Sequence, residues 1–173
     1  MPAKRSKPVD LRGIELEYNS LRGEILKRIE LRQQIISITL TLAGIFLSFG
    51  LSTDSVALIY PPLAAFLSIA WAQNDFRIRD LATYIRENLE TTPTGLGYET
   101  HVQQARNKNK IIGSWRIVVI SHTGIFIFTQ LMAVGIELLK SMPVILTPLE
   151  WGLLVIDFIS ILIVISFAGR SSR

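Results

Sequence analysis

Between Leu11 and Leu51 the chain has no proline and no turn cluster, yet its character changes from charged and amphipathic to apolar without a break. A helix over that stretch measures about 60 Å at 1.5 Å per residue, twice the hydrocarbon thickness of a bilayer. One half therefore crosses a membrane and the other stands in water. The remaining segments pair with this helix or complete a bundle around it, which predicts an all-α fold: a four-span transmembrane helical bundle with a cytosolic two-helix stalk.

In the polar half, Leu11, Ile14, Tyr18, Leu21, Ile25 and Ile29 recur at steps of three and four, opposite a face carrying Arg12, Glu15, Glu24 and Arg28. Asp10 is placed to cap this helix, and residues 1–10 before it form a basic disordered tail with Lys4, Arg5 and Lys7. Ile35 to Leu51 is the first apolar span. Within it Ser37, Thr41, Gly44 and Ser48 share one helical face. That face lines a pore, or else forms a close-packing seam where small residues let backbones approach.

The second span is read over Ser55–Ala72, with Pro61 and Pro62 marking either a kink or the start of its regular helix. Trp71 is placed at the cytosolic interface. Gln73 to Glu90 returns as an amphipathic helix with Ile78, Leu81, Ile85 and Leu89 on one side. An antiparallel hairpin turning near Thr53 sets Leu21 against Ile85, Ile25 against Leu81, Arg32 against Asp75 and Glu30 against Arg77. Residues 11–90 thus form one unit of stalk and transmembrane hairpin, whose apolar seam outweighs exposed ion pairs worth at most about 1 kcal/mol each.

Residues 91–110 read as a linker and a short polar helix ending in the basic cluster Arg106, Lys108 and Lys110. Gly95-Leu96-Gly97 has neither the third glycine of a dinucleotide loop nor a P-loop lysine after it, so nucleotide binding by these motifs is rejected. The cluster lacks interleaved aromatics, which disfavours nucleic acid as a partner and favours a membrane-orienting role. Residues 111–169 form a second transmembrane hairpin, with spans at Ile111–Leu139 and Trp151–Gly169. Residues 170–173 form a cytosolic tail. Lysines and arginines number eight in residues 1–33, seven in 73–116 and two after Gly169, against Lys140 alone on the opposite side. The positive-inside rule then places both termini in the cytoplasm.

Candidate chemistry lies inside the second hairpin. Twelve Leu, Ile, Val and Phe residues between Leu153 and Phe167 favour insertion by roughly 4–7 kcal/mol, enough to carry Asp157 at about 3 kcal/mol against. Height matching puts Gln130 opposite Asp157, where its amide can hold the carboxyl; His122 lies nearer the cytosolic side. These three line an ion or proton path, or they are interhelical bonds that fix register. The chain has no cysteine and only two histidines, which excludes thiolate chemistry and argues against a metal cluster. No nucleophile and base stand together, so neither an enzyme nor a cofactor is expected.

The layout of residues 11–90, with the run Tyr18-Asn19-Ser20-Leu21-Arg22-Gly23-Glu24-Ile25, resembles the SLATT group of bacterial membrane proteins. The resemblance implies a homo-oligomeric pore or effector in a bacterial inner membrane, associated with defence and gated through the cytosolic helices. The competing expectation is a non-conducting scaffold or sensor that uses Leu21, Ile25, Leu81 and Ile85 of the stalk to recruit a cytosolic protein partner.

Overall fold

The computed structural model is helical throughout and has no strand among its described residues, which are 11–90, 97–108, 115–140 and 147–171. The basic tail, most of the linker, the Lys110 end of the basic cluster and the Pro143 loop lie outside them. Five α-helices follow in order: α1 Leu11–Ser52, α2 Tyr60–Tyr84, α3 Tyr98–Lys108, α4 Trp115–Lys140 and α5 Pro148–Ser171. Three segments are long and apolar enough to cross a membrane: Arg12–Ser52, Val119–Lys140 and Pro148–Phe167.

α1 runs unbroken for 42 residues, as its uninterrupted periodicity predicts. The second element begins later than expected. A 3-10 turn at Ala57–Ile59 precedes it, and Pro61 and Pro62 fall in the first turn of α2, where a missing N–H costs nothing. The prolines therefore start the helix and do not kink it. The turn before them is tight: Ser55 has φ 63°, and a Cβ on Gly50 would lie 2.6 Å from that of Ala57.

α2 packs against α1, α4 and α5, and it is the helix around which the others gather. Its buried face includes the small residues Ala64, Ala65 and Ser68, preceded by Ala57 in the 3-10 turn, which let neighbouring backbones come close. One apolar cluster joins Ile36, Ala43, Tyr60, Ala64, Trp71, Val119, Phe126, Ala133 and Val164 across all four long helices. Trp71 is only 3% exposed and belongs to this cluster, so its ring faces the other helices. Trp151, in contrast, is exposed near the start of α5.

A second cluster ties the polar half of α1 to the far end of α2. Ile25, Ile78, Ile85 and Leu89 are buried there, with Tyr18, Leu21 and Leu81 packed against them. In aqueous surroundings each such side chain contributes about 1.5–3 kcal/mol. Arg32 Nη1 donates to Asp75 Oδ1 at 2.7 Å, as the hairpin register predicts. Glu30 and Arg77 are both exposed, and no ion pair joins them. Farther along, Tyr84 Oη donates to Glu17 Oε1 at 2.9 Å. The chain then makes a π turn at Ile85–Leu89.

Just past that turn, Glu90 accepts from the Glu99 and Thr100 amides at 2.7 and 2.8 Å and from the Thr100 hydroxyl at 2.6 Å. A carboxylate thus satisfies the free N–H groups of α3's first turn. Arg22 adds an ion pair to Glu99 and lies 4.4 Å from the centre of the Tyr98 ring.

Gly50→Ala should cost about 1–3 kcal/mol in thermal unfolding in detergent, because Ala57 backbone must give way. Gly44→Ala, whose Cβ meets nothing, should be neutral or gain at most about 1 kcal/mol. Burial works to raise the Glu90 pKa, but its bonds from Thr100 and Glu99 and the nearby Arg86 win and hold it below the ordinary range. A depressed folded pKa gives a contact that is complete above the ordinary glutamate range and fades as pH falls through it and below. Hydrogen exchange at the Glu99 and Thr100 amides should accelerate over that acidic window, and Glu90→Gln should show much of the same loosening at neutral pH.

Candidate functional site

The apolar halves of the helices bury a column of polar groups. On α4 the inward positions are Val119, Phe126, Gln130, Ala133 and Glu137; on α5 they are Glu150, Asp157, Ser160 and Val164. Spacings of three, four and seven keep each set on one face of its helix. α1 contributes Thr39, and α2 contributes Tyr60 and Ser68.

At the end of the column near the α1–α2 turn, the bonds are dense. The Ser55 amide donates to Glu137 Oε1 at 3.0 Å and its hydroxyl to Glu150 Oε1 at 3.2 Å, so one residue bridges the two acids. Glu150 Oε2 also accepts from the Thr147 amide at 2.7 Å. Lys140 Nζ donates to the carbonyls of Gly50 and Thr53 at 2.9 and 3.0 Å and pairs with Asp54 at 3.0 Å. Those contacts hold the left-handed backbone of Ser55 in place.

Midway along, Tyr60 Oη donates to Thr129 Oγ1 at 2.8 Å, and Thr129 passes its own proton to the Ile125 carbonyl at 2.9 Å. Gln130 and Asp157 lie here, 0% and 1% exposed. The expected hydrogen bond between them is not formed, and all four of their polar side-chain atoms are buried without a partner. Their common height follows from two observed pairings. Glu137 and Glu150 share Ser55 at one end, while Thr123 and Val164 line the same small cavity at the other. Gln130 and Asp157 are seven residues from each of these pairs, about 10 Å of helix either way.

His122 does not join this pair. Its ring stacks on Trp71 at 5.0 Å and 24°, where α4 meets α2. Arg32 lies 5.5 Å from the centre of the Trp71 ring and bonds to the fully buried Asp75, which Arg79 also approaches at 3.5 Å. The histidine thus belongs to a separate cluster of cation, carboxylate and aromatic at the opposite end of the bundle. Ser37, Thr41 and Ser48 do not enter the column either: all three are exposed on the outer side of α1, beside exposed Gly44. Thr41 Oγ1 donates to the Ser37 carbonyl at 2.9 Å.

Tyr60, Thr129, Glu137 and Ser55 were not anticipated as members of this column. For Glu137 the signal was present, since the height matching that pairs Gln130 with Asp157 also pairs Glu137 with Glu150. The cavity bounded by Ser68, Trp71, Thr123, Phe126 and Val164 has an accessible volume of about 10 Å³, room for one water. At that level, among the described residues, α2, α4 and α5 leave little space between them.

Arg32→Ala should destabilise the protein by about 3 kcal/mol or more, because it strips a buried carboxylate of its nearest cation. Arg77→Ala, on an exposed residue, should stay within about 0.5 kcal/mol; unfolding of the two variants in parallel checks the contrast. Comparison with known proteins returned no match: no family model, curated protein or solved structure is similar to the chain.

Proposed function

We propose that the chain is a small integral membrane protein that assembles as a homo-oligomer into a pore or membrane effector. Its α1–α2 extension stands in the cytosol and controls the state of the spans. The observation that carries this reading is the outward stripe of Ser37, Thr41, Gly44 and Ser48 on α1. A face of small and hydroxyl residues has little to gain from lipid tails but lets a second helix approach closely or borders water.

The reading includes α2 as the fourth span. Its apolar stretch from Ala57 to Ala72 covers about 24 Å at 1.5 Å per residue and lies beside the apolar parts of α1, α4 and α5. Four crossings and the distribution of lysine and arginine put both termini in the cytoplasm, in a bacterial inner membrane if the SLATT resemblance holds. A defence role rests on that resemblance alone. Leu16, Leu26 and Phe76 are exposed on the extension, with Leu26 at 57%, and they favour a second reading in which the protein recruits a cytosolic partner without conducting.

The chain lacks cysteine, so Thr41→Cys introduces one unique thiol. Under oxidation in native membranes it should cross-link copies to dimers, whereas Phe66→Cys, on the exposed side of α2, should not. Reconstituted wild type should pass ions, and the triple alanine variant at Ser37, Thr41 and Ser48 should change that flux several-fold with assembly intact. Absence of both cross-link and flux would sink the pore and leave the scaffold.

A further inference from the structure

We propose that Asp157 and Gln130 form a proton-binding site inside each bundle, with Asp157 resident as the neutral acid at neutral pH. The inference rests on the interior of one chain and is independent of how many copies assemble. Both side chains are buried, on the inward faces of α5 and α4, at one height, and all four of their polar atoms lack partners. A pair of buried groups left in that condition costs several kcal/mol unless something closes it.

Donor and acceptor inventories identify what closes it. A protonated carboxyl and a primary amide each offer a donor beside an acceptor, so face to face they satisfy all four atoms and leave no net charge. An ionised carboxylate offers acceptors only. It can take the Gln130 Nε2 proton, but Gln130 Oε1 then stays orphaned and a full charge sits in the apolar interior. A metal cation fits poorly: calcium takes about six to eight oxygens, and the uncommitted ones here are Asp157 Oδ1 and Oδ2 and Gln130 Oε1. Ser160 and Thr129 donate their hydroxyl hydrogens to backbone carbonyls on their own helices, so neither is a donor for the Asp157 carboxyl.

The surroundings offer no fixed cation at this height. α5 packs against α2, α4 and the 3-10 turn. Among the described residues, the titratable groups facing the interior are Tyr60 and Asp75 from α2, Glu137 from α4 and Glu150 from α5 itself, and Asp75 is held by Arg32 and Arg79 at the far end; the turn provides none. Lys140 is committed at the outer end, and His122 is stacked on Trp71 at the other. Glu137 and Glu150 lie about 10 Å away along their helices, beyond direct proton transfer.

Infrared difference spectroscopy on the full chain, reconstituted in phosphatidylcholine bilayers, tests the site. At pH 7 it should reveal a carboxylic-acid C=O band that vanishes in Asp157→Asn, and the band should bleach as pH is raised toward 10. In Gln130→Leu the band should move to higher wavenumber, because the acid carbonyl loses an N–H donor. Should Asp157→Asn fail to assemble, protein carrying ¹³C-carboxyl aspartate identifies the band by its isotope shift without a substitution. No aspartic-acid band at pH 7, or a band that Gln130→Leu leaves unmoved, overturns the proposal. A chain that conducts nothing but gives the band upholds this site and removes only the pore.

Discussion

Close approach along the small-residue face of α2 is the constraint on which the rest of the bundle depends. Lipid tails are as apolar as leucine, so burying apolar area gives membrane helices little reason to associate, and contact between backbones has to substitute. Ala57, Ala64, Ala65 and Ser68 permit it, and Gly50 permits it at the tightest point, where α1 ends against Ala57. Once α2 is held this way, its larger residues have fixed neighbours: Tyr60 reaches Thr129, and Trp71 meets His122 and Arg32. The polar column then sits between closely packed helices.

The column is uneven, and the unevenness separates scaffold from candidate chemistry. Around Ser55 every acid is engaged by an amide, a hydroxyl or Lys140. Around Asp75 two arginines share one carboxylate. Among the described residues, the middle of the column pairs two complementary groups, Gln130 and Asp157, whose polar side-chain atoms all lack bonds. Fully bonded networks fix a structure, whereas an incomplete one responds to a change of protonation.

Much of this was legible in the sequence, for identifiable reasons. The length of α1 follows from an unbroken period, and the hairpin register follows from a single turn, so Arg32 meets Asp75 as expected. The inward placement of Asp157 follows from the cost of exposing a carboxyl to lipid. The outward turn of the Ser37–Ser48 stripe did not follow. Thr39 and Thr41 both donate to carbonyls four residues earlier, at 2.8 and 2.9 Å, yet one is buried and the other exposed. A hydroxyl satisfied by its own helix is tolerated on either side, so its polarity alone does not say whether it faces its own bundle or turns outward. For Trp71 the expectation concerned depth along the helix, which does not say that its ring turns inward to meet His122 and Arg32.

Lys140 has a consequence for assembly. α1 has no basic residue in its last turn, and the ammonium that bonds its terminal carbonyls comes from α4, some ninety residues later in the chain. During synthesis the α1–α2 hairpin therefore emerges with the end at its turn unfinished and stays so until α4 has been made and packs beside it. The two hairpins are in this sense not modules that mature in turn but halves of one folding event, completed by the second.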